Sequence, residues 1–278
     1  MLLQRRNRPP RNRPLFHLVP NMFTVLGLCA GLTGIRYALD GRWELAVALI
    51  IVAGVLDGLD GRSARMLKIT SKLGAELDSL ADFLSFGVGP ALIVYLWTLR
   101  DVRGVGWALA MLFATCCALR LARFNSELEQ PDKPRWTLWF FTGVPAPAAA
   151  GLALLPMMLN FASGAALFRS WAVNAVLLLA VACLMVSRLP TFSLKRLRVR
   201  PDLVLPTMLA CGVVVVAFVT EPWWTLSAIG VVYLLALPVG VVVARRMRLA
   251  EEASRAMAPP APSEPRIVPM ERPPSRSP

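Results

Sequence analysis

Eight stretches of the chain, residues 18–38, 43–61, 76–99, 104–122, 141–159, 171–187, 203–220 and 225–244, are dominated by apolar side chains. Hydrocarbon offers no water to backbone N–H and C=O groups, so a single segment that crosses it must satisfy them internally, as a helix does. At 1.5 Å per residue each stretch spans a layer about 30 Å thick, the two shortest with some local thinning. The predicted fold class is an all-α integral membrane protein with about eight transmembrane helices. Composition agrees, because 56% hydrophobic and 17% charged residues lie outside the soluble globular range.

The basic residues report orientation. Of 30 Lys and Arg, 25 fall in residues 1–17, 62–72, 120–136, 187–200 and the tail from 245; Arg36, Arg42, Arg100, Arg103 and Arg169 hold the rest. Cytoplasmic loops carry the excess of Lys and Arg, so an even number of spans with both termini cytoplasmic is expected. The net charge of +13 is thus accounted for without nucleic acid, since the clusters lie between apolar runs rather than along one face. The basic N-terminus precedes a full-length apolar segment without a small-residue cleavage pattern, which reads as a retained first helix. Residues 1–14 and 248–278, rich in Pro and Arg and without apolar periodicity, are expected to be disordered. Between them lie a transmembrane core over 15–187 and a C-terminal helix pair over 188–247.

Other chemistries are narrowed by what is scarce. Cys29, Cys116, Cys117, Cys183 and Cys211 sit in apolar segments with no C-x-x-C pair, which suits packing. His17 is the single histidine, which excludes imidazole-built metal sites and Ser-His-Asp catalysis within one chain.

Residues 57–87, DGLDGRSARMLKITSKLGAELDSLADFLSFG, place four aspartates at the edge of this apolar material. From Trp43 to Leu56 the stretch, apolar but for Glu44, covers about 21 Å of helix, and from Phe83 to Leu99 about 25 Å, so Asp57 and Asp82 enter before the layer is crossed. Asp57 and Asp60 are three apart and Asp78 and Asp82 four apart, so each pair shares a helix face. The short loop between makes the two helices antiparallel neighbours whose acidic faces can meet. Each aspartate at the bilayer centre costs about 2.5–3.5 kcal/mol, less near the boundary, and converging carboxylates repel one another. Hard divalent cations relieve both, and Mg2+ or Mn2+ prefers carboxylate oxygen. The plainer alternative pairs each acid with Arg62, Arg65, Lys68 or Lys72 as a structural interface.

The pattern D-x-x-D-G-x-x-A-R-x8-G-x3-D-x3-D, filled by Asp57, Asp60, Gly61, Ala64, Arg65, Gly74, Asp78 and Asp82, resembles the signature of the CDP-alcohol phosphotransferase family at all eight positions. The resemblance implies a six-helix catalytic core that opens to the cytoplasm, in a bacterial inner membrane, and relatives suggest a homodimer. It implies two divalent cations, Mg2+ or Mn2+, the first on Asp57, Asp60 and Asp78 and the second on Asp57, Asp78 and Asp82. Asp82 is also the implied general base. Gly61 lets the nucleotide approach the backbone, Arg65 meets the phosphates, and Ser71 matches a position that touches the diphosphate. Asn21 and Thr24, from PNMFT, complete the implied CDP-diacylglycerol contacts.

FLSFGVGPA after Asp82, RLARFN at 120–125 and FTGVPAPAAAG at 141–151 resemble the serine-using branch of the family, over residues 15–160. One departure is Gly27, where many relatives carry Asn. The resemblance implies CDP-diacylglycerol and L-serine as substrates, with Arg120, Arg123, Asn125 and Ser85 as the candidate serine-binding set. Arg120 and Arg123, three apart, can present a guanidinium to a carboxylate, although positive-inside flanking also places arginines there. A sister enzyme using glycerol 3-phosphate or an inositol phosphate would keep the aspartates but want a further phosphate-binding cluster. A transporter with an intramembrane acidic cation site would want repeat symmetry, and residues 141–278 hold no second acidic segment.

Overall fold

The computed structural model describes residues 19–67, 72–128, 140–187, 190–192 and 204–257. In chain order these form α1 (Val19–Leu39), α2 (Trp43–Leu67), α3 (Lys72–Asp82), a π-helical turn (Phe83–Val88) and α4 (Gly89–Trp97). A 3-10 turn (Leu99–Val102) leads to α5 (Arg103–Leu128), β1 (Phe140–Thr142), α6 (Ala146–Ala153) and α7 (Leu155–Ser163). A second 3-10 turn (Ala166–Arg169) precedes α8 (Trp171–Val186), β2 (Pro190–Phe192), α9 (Val204–Thr220) and α10 (Pro222–Met257).

Each of the eight apolar segments is helical over most of its length, and the chain is a multi-pass membrane protein. Asn21–Leu39, Leu73–Trp97, Leu99–Ser126 and Pro222–Val243 are long and apolar enough to cross a bilayer, and α6 with α7, bent by 42°, makes a fifth such unit. The bend sits at Leu154, two residues before Pro156, whose ring removes one helical donor and crowds the preceding turn. α8 and α9 are shorter apolar helices. α2 has the length to cross, but Asp57, Asp60 and Arg62 interrupt its last turns.

Small residues let α1 and α2 lie close together. Ala38, Ala46 and Ala53 are buried between them, and a Cβ at Gly34 would come 3.0 Å from the Ala46 carbonyl oxygen. The turn joining them uses Gly41 at φ +73°, with the Gly41 and Arg42 amides donating to the Ala38 and Tyr37 carbonyls. Phe86, Phe113, Ile93, Leu152, Met157 and Leu178 fill the centre, where the π turn, α4, α5, α6, α7 and α8 meet.

One end of the bundle is closed by polar contacts. The Val144 amide donates at 3.4 Å to the Leu184 carbonyl, which also accepts from Ser187 Oγ at 2.7 Å, and Arg123 Nη1 donates at 2.8 Å to the Val186 carbonyl, an acceptor that the end of α8 would otherwise leave without a helical partner. Beside them β1 and β2 pair antiparallel, Phe141 facing Thr191. The sequence reading runs a helix from 141, whereas α6 starts at Ala146: Gly143 adopts φ +76°, and Pro145 keeps Val144 out of the helical region. At the other extreme α10 continues to Met257, into residues expected to be unstructured. Its extension RMRLAEEASRAM is rich in good helix formers, with Arg248 and Glu252, and Glu251 and Arg255, four apart.

Candidate active site

The last turns of α2 carry Asp57 and Asp60, and α3 carries Asp78 and Asp82. The antiparallel packing of these helices brings one carboxylate oxygen each of Asp57, Asp60 and Asp78 within 4.8 Å of one another. Asp82, one turn beyond Asp78, lies within hydrogen-bonding distance of Asp57. α1 supplies the third wall, where Thr24 Oγ1 donates to Asp60 Oδ2 at 2.9 Å. Asp60 is 6% exposed and Thr24 7%, so this contact holds one carboxylate oxygen in a fixed direction away from water.

A narrow cleft opens over the acids, its remaining walls including Phe23, Gly27, Leu28, Ser85 and Phe86. Among the described residues no Lys or Arg forms an ion pair with any of the four aspartates; Arg36 and Asp40, at 3.9 Å, pair elsewhere. Of the four residues the paired-interface alternative would use, Arg62 makes no such pair; Lys68 lies outside the described residues and the side chains of Arg65 and Lys72 are not described. Three hard, convergent oxygen donors match the coordination preference of Mg2+ or Mn2+, so the residues present fit a divalent ion.

The π turn directly after Asp82 has a local cause. Pro90 has no N–H for the Phe86 carbonyl, and the ladder widens just before it, with the Gly89 amide donating to Leu84, five residues back. This extra residue in the turn sends Ser85 and Phe86 to the cleft that Asp82 lines. Ser85 Oγ reaches the Gly27 carbonyl at 3.4 Å, and Gly31 permits the approach: a Cβ there would lie 2.5 Å from Ser85 Oγ.

The four residues expected to bind serine have different environments. Arg120 is half-buried, within electrostatic range of Asp82, and its Nε is buried without a hydrogen-bond partner. Arg123 is engaged with the end of α8. Asn125 Nδ2 donates to Ser79 Oγ at 2.9 Å, tying α5 to α3 beside Asp78, and Ser85 lines the cleft. Of the expected nucleotide contacts, Thr24 joins the acids, Gly61 is exposed at the end of α2, and Asn21 is half-buried on α1 outside the cleft lining. Arg65 stands in the last turn of α2, its side chain not described, and Ser71 lies outside the described residues. The sequence reading did not find Phe23, Leu28, Ala53, Ala81 or Phe86 as cleft walls, since apolar residues in an apolar segment carry no distinguishing signal.

Comparison with known proteins agrees with this geometry. A family described as CDP-alcohol phosphatidyltransferase matches residues 17–187, which runs through α1 to α8. The chain belongs to the CDP-alcohol phosphatidyltransferase family. A second model, CDP-alcohol phosphatidyltransferase 2, matches residues 202–238, within α9 and α10. The chain is 38% identical over 236 residues to a Mycobacterium leprae CDP-diacylglycerol–serine O-phosphatidyltransferase, covering 84% of this chain and 78% of the relative. A Mycobacterium bovis protein of the same name is 37% identical over 239 residues, covering 84% and 82%. A Helicobacter pylori protein, again so named, is 42% identical over 147 residues, covering 53% and 60%.

Proposed function

We propose that this family member is a phosphatidylserine synthase, which transfers the phosphatidyl group of CDP-diacylglycerol to the hydroxyl of L-serine and yields phosphatidylserine and CMP. The observation that carries the reading is the convergence of Asp57, Asp60 and Asp78, with Asp82 against Asp57, in a chain whose relatives over most of its length bear that activity in their names.

The aspartates would hold two divalent cations, Mg2+ or Mn2+: Asp57, Asp60 and Asp78 one, Asp57, Asp78 and Asp82 the other. When bound, such ions polarise a diphosphate and neutralise charge on the departing phosphate. Thr24 keeps the Asp60 carboxylate turned inward. Gly61, exposed and without a side chain, leaves room for the nucleotide, while Arg65, Ser71 and Asn21 meet the donor. The serine oxygen attacks the phosphorus that bears the diacylglycerol; a new O–P bond forms, the bond from that phosphorus to the CMP oxygen breaks, and Asp82 takes the hydroxyl proton. Arg120, within electrostatic range of Asp82, holds the serine carboxylate. Ser85 and Asn125 complete the acceptor side, with Arg123 positioning the end of α8.

In the cell the reading has eight spans in a bacterial inner membrane, both termini and the acidic cleft facing the cytoplasm, and a homodimer. An acceptor screen tests the activity. Purified protein in detergent with CDP-diacylglycerol and Mg2+ or Mn2+ releases CMP with L-serine and not with glycerol 3-phosphate, an inositol phosphate or choline. Release with glycerol 3-phosphate but not serine overturns the substrate and leaves the aspartate cluster standing.

A further inference from the structure

α10 lies beyond the family match over residues 17–187, and nothing in its sequence announces chemistry. Its Tyr233 nevertheless packs against the hydrophobic core with its hydroxyl buried and without a hydrogen-bond partner. Arg120 Nε is buried and unpartnered as well. Such orphaned donors are costly and uncommon in native folds, and they call for a ligand or a water. The two are neighbours: Tyr233 and Arg120 are within electrostatic range of each other, and Arg120 is within range of Asp82, which lines the cleft. A phenol O–H and a guanidinium, both buried, both unpartnered and within electrostatic range of one another, suit a group that accepts hydrogen bonds and carries negative charge.

Resting on the phosphatidylserine synthase reading, we propose that Tyr233 of α10 and Arg120 of α5 together form the subsite for the carboxylate of the acceptor. The guanidinium supplies charge, and the hydroxyl supplies a directed donor that a carboxylate satisfies and an uncharged amide or alcohol satisfies less well. The C-terminal helix pair then takes part in choosing the substrate, and Tyr233 falls inside the second family match, over 202–238.

The experiment is steady-state kinetics of Tyr233→Phe in the full-length protein, with L-serine and L-serinamide as acceptors. The variant raises the KM for L-serine about tenfold, as for a lost hydrogen bond to a charged group, and leaves the KM for CDP-diacylglycerol within about twofold. Its preference for L-serine over L-serinamide, as a ratio of kcat/KM, narrows by about the same tenfold factor. Arg120→Lys, which keeps the charge but loses Nε, shows the same division between the two KM values. If Tyr233→Phe does not assemble, Tyr233→Met, which removes the hydroxyl and keeps an apolar filler, decides by the same readouts. An unchanged serine KM, or a rise shared equally with CDP-diacylglycerol, overturns the subsite and leaves a water as the hydroxyl's partner. Wild-type protein that releases no CMP with serine overturns the synthase reading itself, and the subsite with it, whereas wild-type serine turnover with an indifferent variant sinks the subsite alone.

Discussion

Asp57, Asp60 and Asp78 differ from Asp82 in position, and the difference sets what each substitution does. The first three offer oxygens within 4.8 Å of one another, so each Asp→Asn change removes one donor from a shared cluster and one of the charges that hold a cation. Asp57→Asn, Asp60→Asn and Asp78→Asn each abolish turnover, chelation of wild-type protein does the same, and Mn2+ binding followed by electron paramagnetic resonance weakens in all three. Asp82→Asn lowers kcat far more than it raises the KM for CDP-diacylglycerol, because a general base acts mainly in the transition state. All four proteins still reach the membrane fraction at wild-type levels. Loss of protein in parallel with activity would return the aspartates to a structural role. These residues were legible in the sequence because carboxylates in an apolar segment stand out by cost alone. Tyr233 was not: a tyrosine in an apolar helix looks like packing until its hydroxyl is seen to have no partner.

Individual helices owe their placement to contacts of small residues and to prolines. The π turn sits against α1 because Gly31 has no Cβ, so Gly31→Val drives a side chain into Ser85 and separates α1 from the wall of the cleft. Overpacking of this kind costs about 1–3 kcal/mol, seen as a fall of several degrees in the detergent melting temperature. Gly212→Ala, on α9 with nothing within 4 Å of the added Cβ, leaves the melting temperature unchanged or slightly raised. Equal losses at the two positions would remove the close-approach argument. Helix existence was readable from apolar length. The π turn and the short strands were not, since both answer to where backbone partners lie in space: Pro90 takes a donor from Phe86, and Gly143 brings β1 to the end of α8. Arg123 illustrates the same limit, because a basic residue at a helix end reads alike whether it meets a substrate or, as here, the Val186 carbonyl.

For the whole molecule, the arrangement of ends carries a prediction. Arg123, Val144, Leu184 and Val186 gather at one end of the bundle, as the alternation of helices requires if the loops after α1, α4, α7 and α9 share the opposite side. Reporter fusions at both termini read cytoplasmic, and insertions at Gly41 and Gly164 read as the other side; termini on opposite sides would mean an odd number of spans. The sequence by itself determined the class of solvent, the helical form of most of each apolar segment, the clustering of positive charge between them and the family signature, because each depends on local composition or fixed spacing along one helix. The tertiary structure decided which acids come within 4.8 Å of one another, that Thr24 from α1 turns Asp60 inward, that Arg120 lies within electrostatic range of Asp82 while Arg123 closes α8, and that α10 buries a hydroxyl within electrostatic range of Arg120. Those relations join residues from different helices, and along the chain nothing records which faces will pack together.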